Sequence, residues 1–337
     1  MNKFLHYFLL LLIYVFSGCD NTTEDKSEVT TINKTDSIFQ VDRRVEAISK
    51  LGDTLYTMEI RGARKQKYDS ALQVAWQEYN KNPTDIDNIV WLGRRLGYLG
   101  YYQEAIRVFT KGLEIHKESP ELYRHRGHRY ISTRQFDKAQ KDLEQSAILV
   151  ENRKLTPEPN GIPIPLPQDD RPTSLQFNVF YHLGLAYYLQ GKYGKAAEAY
   201  ERCLAYSQTD DEIAATADWM YMSYRRLGED EVAEETLGMI KENMDIRDNE
   251  GYFERLMMYK GMIEPSTLIQ MSQDTPLADR DLALATEGYG VGNFYISNGK
   301  QEEGIKVLEE IVEGRHWAAF GYIAAEADLA RIKANNQ

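Results

Sequence analysis

Apolar residues along most of this chain recur three and four positions apart, the rhythm of one helical face, and that rhythm returns at a fixed interval. In WLGRRLGYLGYYQEAIRVFTKGL (91–113) and YHLGLAYYLQGKYGKAAEAYERCL (181–204), setting Gly93 on Gly184 sets Leu92 on Leu183, Leu96 on Tyr187 and Gly100 on Gly191. Tyr102 then falls on Tyr193, Ala105 on Ala196 and Phe109 on Tyr200. A third copy lies 34 residues after the first, with Gly127, Tyr130, Phe136, Ala139 and Leu143. Each copy predicts two helices joined by a tight turn. Gly within a helix costs about 1 kcal/mol relative to Ala, so Gly93, Gly127 and Gly184 at one register point to helices in close contact. Gly100 and Gly191 close the first helix of their pairs.

Weaker copies extend the array in both directions. Tyr68, Ala71 and Pro83 fit the second half of an opening unit that starts near Asp42. Residues 217–240 keep Tyr224, Gly228, Ala233 and Leu237, with Tyr221 in the slot of the packing glycine. Residues 249–272 read as a degenerate pair that restarts after Glu264-Pro265, since Pro is tolerated in a first helical turn. Residues 288–311 keep Gly292, Tyr295, Gly299 and Leu308, with Gly304 where Ala is usual. A last helix, from about His316 to Lys333, is expected to cap the stack.

A helix–turn–helix unit repeated every 34 residues with these small and aromatic positions resembles the tetratricopeptide repeat. The resemblance covers most of residues 42–335. It implies an all-α solenoid, a right-handed superhelix of about six to seven helix pairs with a C-terminal capping helix.

One stretch interrupts the period. From Gly127 to Gly184 is one repeat plus an insertion, and the insertion (154–173) contains LTPEPNGIPIPLPQDDRP with six of the chain's ten prolines. Proline lacks the N–H and clashes with a preceding helical turn, so the segment stays out of both flanking helices. Its IPIPLP alternation favours extended polyproline geometry. Two readings follow: a loop packed on the stack by Ile162, Ile164 and Leu166, or a strap over a ligand.

The ends carry a different signal. MNKFLHYFLLLLIYVFSGC has a positive Lys3, ten unbroken apolar residues from Tyr7 to Phe16, and small residues before Cys19. The run is too short to span a bilayer as a helix and reads as a secretion leader. FSGC resembles the bacterial lipoprotein cleavage motif, although Phe16 stands where that family usually has Leu. The resemblance implies removal of residues 1–18, acylation of Cys19 by chains such as palmitate, and a place in the bacterial cell envelope, on the periplasmic face of a membrane or the cell surface. Residues 19–41 then form a polar tether with too little apolar surface to fold alone.

Composition narrows the partners. The 40 Lys and Arg against 52 Asp and Glu give a net charge of −12, which disfavours nucleic acid. With Cys19 acylated, Cys203 is the remaining thiol, so the fold is expected to need no disulfide. No catalytic signature is found, and no enzyme activity or cofactor is expected. GYGVGN (288–293) imitates a nucleotide loop but falls inside a predicted helix, where packing accounts for it. His125 and His128 have metal-like spacing but no third ligand nearby, so no metal is expected.

The candidate chemistry is that of binding. In this repeat family the first helix of each pair lines the concave surface. Helical spacing then selects Val90, Arg94 and Tyr98; Arg124, His128 and Ser132; Tyr181, Leu185 and Tyr188; Asp218, Met222 and Arg225; and Tyr289 and Asn293. Arg forks recognise carboxylates, so an acidic protein or peptide is the expected ligand, unless the arginines pair with neighbouring acids instead. Chaperone-binding members of the family need Lys and Asn where Val90 and Arg94 stand, so chaperone tails are not implied. The alternative is a small molecule or glycan stacked on Tyr98, Tyr181, Tyr188 and Tyr289. Whether the groove is open or roofed separates the two.

Overall fold

The small residues of the repeat lie where helices touch. A Cβ on Gly184 would stand 2.7 Å from the Tyr200 ring, one on Gly127 2.7 Å from Leu143, and one on Gly292 2.8 Å from Leu308. Gly93 meets Phe109 in the same way. The computed structural model describes residues 44–159 and 172–335. The apolar leader, Cys19, the tether and the IPIPLP alternation lie outside them, and the described residues belong to one compact unit.

Helix α1 (Gly62–Lys81) precedes four regular pairs: α2 (Ile86–Tyr98) with α3 (Tyr102–Ile115), α4 (Pro120–Ser132) with α5 (Phe136–Val150), α6 (Leu175–Leu189) with α7 (Tyr193–Leu204), and α8 (Asp210–Leu227) with α9 (Asp230–Gly238). The degenerate pair is α10 (Glu250–Tyr259) and α11 (Pro265–Asp274). Helix α12 (Leu277–Ala283) runs through a π-helical turn (Leu284–Gly288) into α13 (Tyr289–Ser297), which packs on α14 (Gln301–Glu313). Helix α15 (Phe320–Asn335) follows. GYGVGN is thus helical, with Gly290 against the Arg255 side chain and Gly292 against Leu308. Neighbouring helices pack in sequence, so the molecule is an all-α solenoid. Among the described residues no helix is long and apolar enough to cross a membrane.

Local chemistry sets the helix ends. Asp85, Ser119, Ser174 and Thr209 each accept a backbone N–H from the first turn that follows. The turns inside pairs need a left-handed residue, and Gly supplies it at Gly100, Gly191, Gly228 and Gly299. Arg134 occupies the same slot at φ 61°. It is the one non-glycine residue with positive φ among those described.

The opening unit differs from expectation. Its first half is a two-stranded antiparallel hairpin, β1 (Val45–Ile48) with β2 (Thr54–Tyr56), in place of a helix. β-Branched Val45, Ile48 and Thr54 flank a turn at Gly52, whose φ is 102°. The hairpin docks through buried Ala47 and Leu55, while Glu46 accepts the Gln103 backbone N–H at 2.9 Å. Of the proline-rich insertion, the described ends are stitched together. Strand β3 (Pro157–Glu158) pairs with β4 (Thr173–Ser174), and Leu175 donates to the Thr156 carbonyl at 2.8 Å.

The last helix does more than cap. α15 packs on α14, and it also contacts α13 and α6. At its near end the Trp317 indole N–H donates to the Tyr56 carbonyl at 2.9 Å, and further along Glu326 accepts the Lys50 backbone N–H at 2.6 Å. The hairpin that opens the unit and the helix that closes it therefore meet.

Candidate partner-binding surface

α6 determines the character of the inner face. Every residue from Leu175 to Leu189 is buried, because α5, α7 and α8 flank the helix and α15 contacts it as well. A helix apolar on all sides belongs in a core. Residues 321–328 of α15 are buried in turn. Gly321 lies so close to the Ala285 carbonyl that a Cβ there would clash with it. Small residues (Ala324, Ala325 and Ala327) bring the backbone near the repeats, leaving the longer polar side chains to find partners.

Those partners are specific. Arg134 donates to both Glu326 carboxylate oxygens, at 2.8 Å from Nη2 to Oε2 and 3.1 Å from Nε to Oε1. Its remaining donors reach the carbonyls of Ser132 (2.6 Å) and Trp317 (2.7 Å). Asp328 accepts from Arg226 at 2.7 Å and from the Tyr289 hydroxyl at 3.0 Å, and pairs with Arg331. Beside Asp328 and its Tyr188–Tyr289 partners, burial and the Asp328 carboxylate hold the Tyr289 hydroxyl well above its usual pKa. Phe320 packs against the rings of His128 (5.3 Å), His182 (5.7 Å) and Tyr181 (6.3 Å).

The residues expected on the inner face divide accordingly. Tyr181, Leu185, Tyr188, Asp218, Met222, Tyr289 and Asn293 are at least nine-tenths buried, so they do not form an accessible tyrosine-lined surface. The Tyr188 hydroxyl is 2.9 Å from both the Tyr289 hydroxyl and Asn293 Nδ2. Tyr181 accepts from Trp219 Nε1 at 3.0 Å. Asp218 pairs at 2.7 Å with Arg255. Burial raises the Asp218 carboxyl, and the guanidinium opposes the rise.

The arginines are also engaged. Arg124 is buried and pairs with Glu158 at 3.1 Å. Burial pulls its guanidinium down to about 10, while Glu158 acts to raise it. Arg225 pairs with Asp230 at 2.9 Å and donates to the Ser297 carbonyl at 3.1 Å. For these two, the structure has the internal pairing with acids that the sequence left open as the alternative to a free basic face. Arg94 is different. It is half-buried, lies 4.7 Å over the Trp91 ring and donates to the Pro159 carbonyl at 2.8 Å. Tyr98 is half-buried against Tyr68, Val90 sits at the edge of burial, and Ser132 is covered.

His125 and His128 have different ring neighbours. His125 stacks on Phe109, and His128 lies 4.3 Å from the His182 ring. Burial holds all three imidazoles well below their ordinary pKa, and nearby arginines add to the effect.

An open cleft of about 1110 Å³ remains at the N-terminal end of the inner face. It lies between the starts of α2 and α4 and the base of the insertion. Trp91, Arg94, His116, Glu121, His125 and Glu158 are among its walls. Among the described residues, Glu158 Oε2 is buried there without a hydrogen-bond partner.

Residues 177–210, which span most of α6 and all of α7, match the tetratricopeptide repeat family. BBSome complex member BBS4 of Bos taurus is 27% identical over 141 residues, which are 42% of this chain and 22% of that protein. A solved tetratricopeptide repeat protein from Parabacteroides merdae ATCC 43184 is 15% identical at a TM-score of 0.45, over 78% of this chain and 93% of that one. YrrB, described as a TPR protein with an unusual peptide-binding site, is 13% identical at a TM-score of 0.41, over 79% and 100%. The molecule is an α-solenoid of tetratricopeptide-like helix pairs, a fold that suggests a protein-interaction scaffold.

Proposed function

We propose that this chain is a non-enzymatic interaction scaffold. It is tethered to the bacterial envelope by acyl chains on Cys19 and binds a protein or peptide along the inner face of its helix pairs. The observation that carries the reading is the face's own occupant. A surface that holds α15 through the Arg134–Glu326 and Arg226–Asp328 pairs, with aromatic packing at Phe320, has the shape and chemistry to hold a peptide. Access from outside is through the cleft beside Trp91 and Arg94, where a guanidinium stacked on an indole presents its edge to an acidic group. A small-molecule or glycan ligand would use that same cleft, since Tyr181, Tyr188 and Tyr289 are covered.

The test is photo-crosslinking in native membranes, with a benzophenone amino acid at Trp91 or Tyr98 on the inner side and at exposed Glu198 on α7. The scaffold reading expects the same defined protein adduct from both inner positions and none from Glu198. Adducts only at Glu198 would move the working surface to the outer helices. Absence of adducts from all three would remove the scaffold reading.

A further inference from the structure

We infer that the inner face is an exchangeable helix site, whose partner is a carboxylate-bearing helix of another protein that takes the place of α15. This rests on the scaffold reading above and names the partner's chemistry. α15 serves as the template. It presents an aromatic residue at Phe320, then carboxylates six and eight positions later at Glu326 and Asp328, with small residues between them that let the backbone approach. A competing helix needs the same aromatic–carboxylate spacing and the same small residues.

Three observations favour exchange over a fixed core element. Arg134 holds a left-handed conformation where other turns inside pairs have Gly, and its guanidinium reaches Glu326 and the Trp317 carbonyl of the last segment as well as the Ser132 carbonyl of its own helix. Backbone strain of that kind persists where the side chain has a task. The pairs that hold α15 are buried ion pairs, which discriminate strongly against a wrong partner and add little net stability over an apolar contact. And α15 is joined to α14 by residues 314–319, which lie outside any helix, so it can open from the face as one element without unravelling a repeat.

The experiment uses the full chain with Cys19→Ser, and a fluorescein-labelled peptide of residues 316–335 as the probe. Fluorescence polarisation compares three proteins: the parent, E326Q with D328N, and that double variant with R134M added. The parent's own helix competes, so its peptide affinity is low. The double variant loses the carboxylates that hold its own helix, and should bind the peptide about tenfold more tightly, the scale expected for a charged hydrogen-bonded pair. Adding R134M should remove the gain. A peptide with Lys at the position of Glu326 should fail on all three, a control independent of whether R134M folds. Equal affinity of the double variant and the parent would overturn the proposal, as would equal binding of the Lys peptide. A concentration-dependent dimer of the parent would overturn it too, by making a second copy's α15 the occupant. Inner-face adducts in native membranes alongside a failed peptide experiment would leave the scaffold reading standing and remove the exchange.

Discussion

Arg134, in the left-handed turn between α4 and α5, forms a buried ion pair with Glu326 in the last helix, 192 positions later. The two side chains are 2% and 1% exposed. The pair explains a residue that repeat logic alone does not. The turn calls for Gly, and Arg is there for the reach of its side chain.

Arg134→Gly suits the backbone and removes the pair. Stranding a buried carboxylate costs about 3–5 kcal/mol, and relief of the left-handed strain returns about 1–2 kcal/mol. The variant should be less stable than the parent by denaturant titration. In a double-mutant cycle with Glu326→Gln, the two changes should cost much less together than their sum. A Gly variant as stable as the parent would mean the pair contributes nothing.

Gly184→Leu should destabilise more than Gly228→Ala. The first drives a side chain into the Tyr200 ring, in a contact buried on both sides, and overpacking costs about 1–3 kcal/mol. At Gly228 nothing lies within 4 Å of an added Cβ, so only the strain of its φ of 77° counts, about 1–2 kcal/mol. Equal melting temperatures would contradict the packing register.

Acidification should loosen the inner face. His125, His128 and His182 are held well below their ordinary pKa by burial and by Arg124, Arg129 and, for His125, Arg94. Glu158 lies 3.7 Å from His125, and the hydrogen bond to the Asn178 carbonyl opposes the shift of His182. A depressed folded-state pKa gives stability that is present above the unfolded value near 6.5 and lost as pH falls below it. Unfolding free energy should therefore drop between about pH 7.5 and about pH 5.5. His128→Gln with His182→Gln should flatten that slope, and an unchanged slope would place the acid sensitivity elsewhere.

On the lipoprotein reading, Cys19→Ser frees the chain from membranes and leaves its helical signal unchanged. Retention of the Ser variant in the membrane fraction after a carbonate wash would refute the lipid anchor.

The repeats were legible because self-similarity reports on neighbours in sequence. Gly93 with Phe109, Gly127 with Leu143 and Gly184 with Tyr200 recur at one spacing, and the structure finds each pair in contact. The opening hairpin was hidden by the repeat logic itself, which takes the first half of a unit starting near Asp42 as helical despite Val45, Ile48, Thr54 and Gly52. The filled groove was not legible from periodicity, because the Arg134–Glu326 and Arg226–Asp328 pairs join segments far apart in the chain. Two signals did exist. LQFNVFYHLGLAYYL is apolar all round, which fits a covered helix and not a groove wall. Arg134 also stands in a glycine slot. Both pointed to an occupant on the inner side.

Hydrogen exchange on the full chain tests most directly whether α15 is a separable occupant of that face. In the parent, amides across residues 321–331 should exchange slowly, as those of α6 do. Glu326→Gln with Asp328→Asn should accelerate α15 strongly and leave α6 nearly unchanged, since a single element can open below the global unfolding free energy. If α15 already exchanges fast in the parent, or if α6 and α15 accelerate together, the last helix is not an independent occupant of the inner face and the account fails.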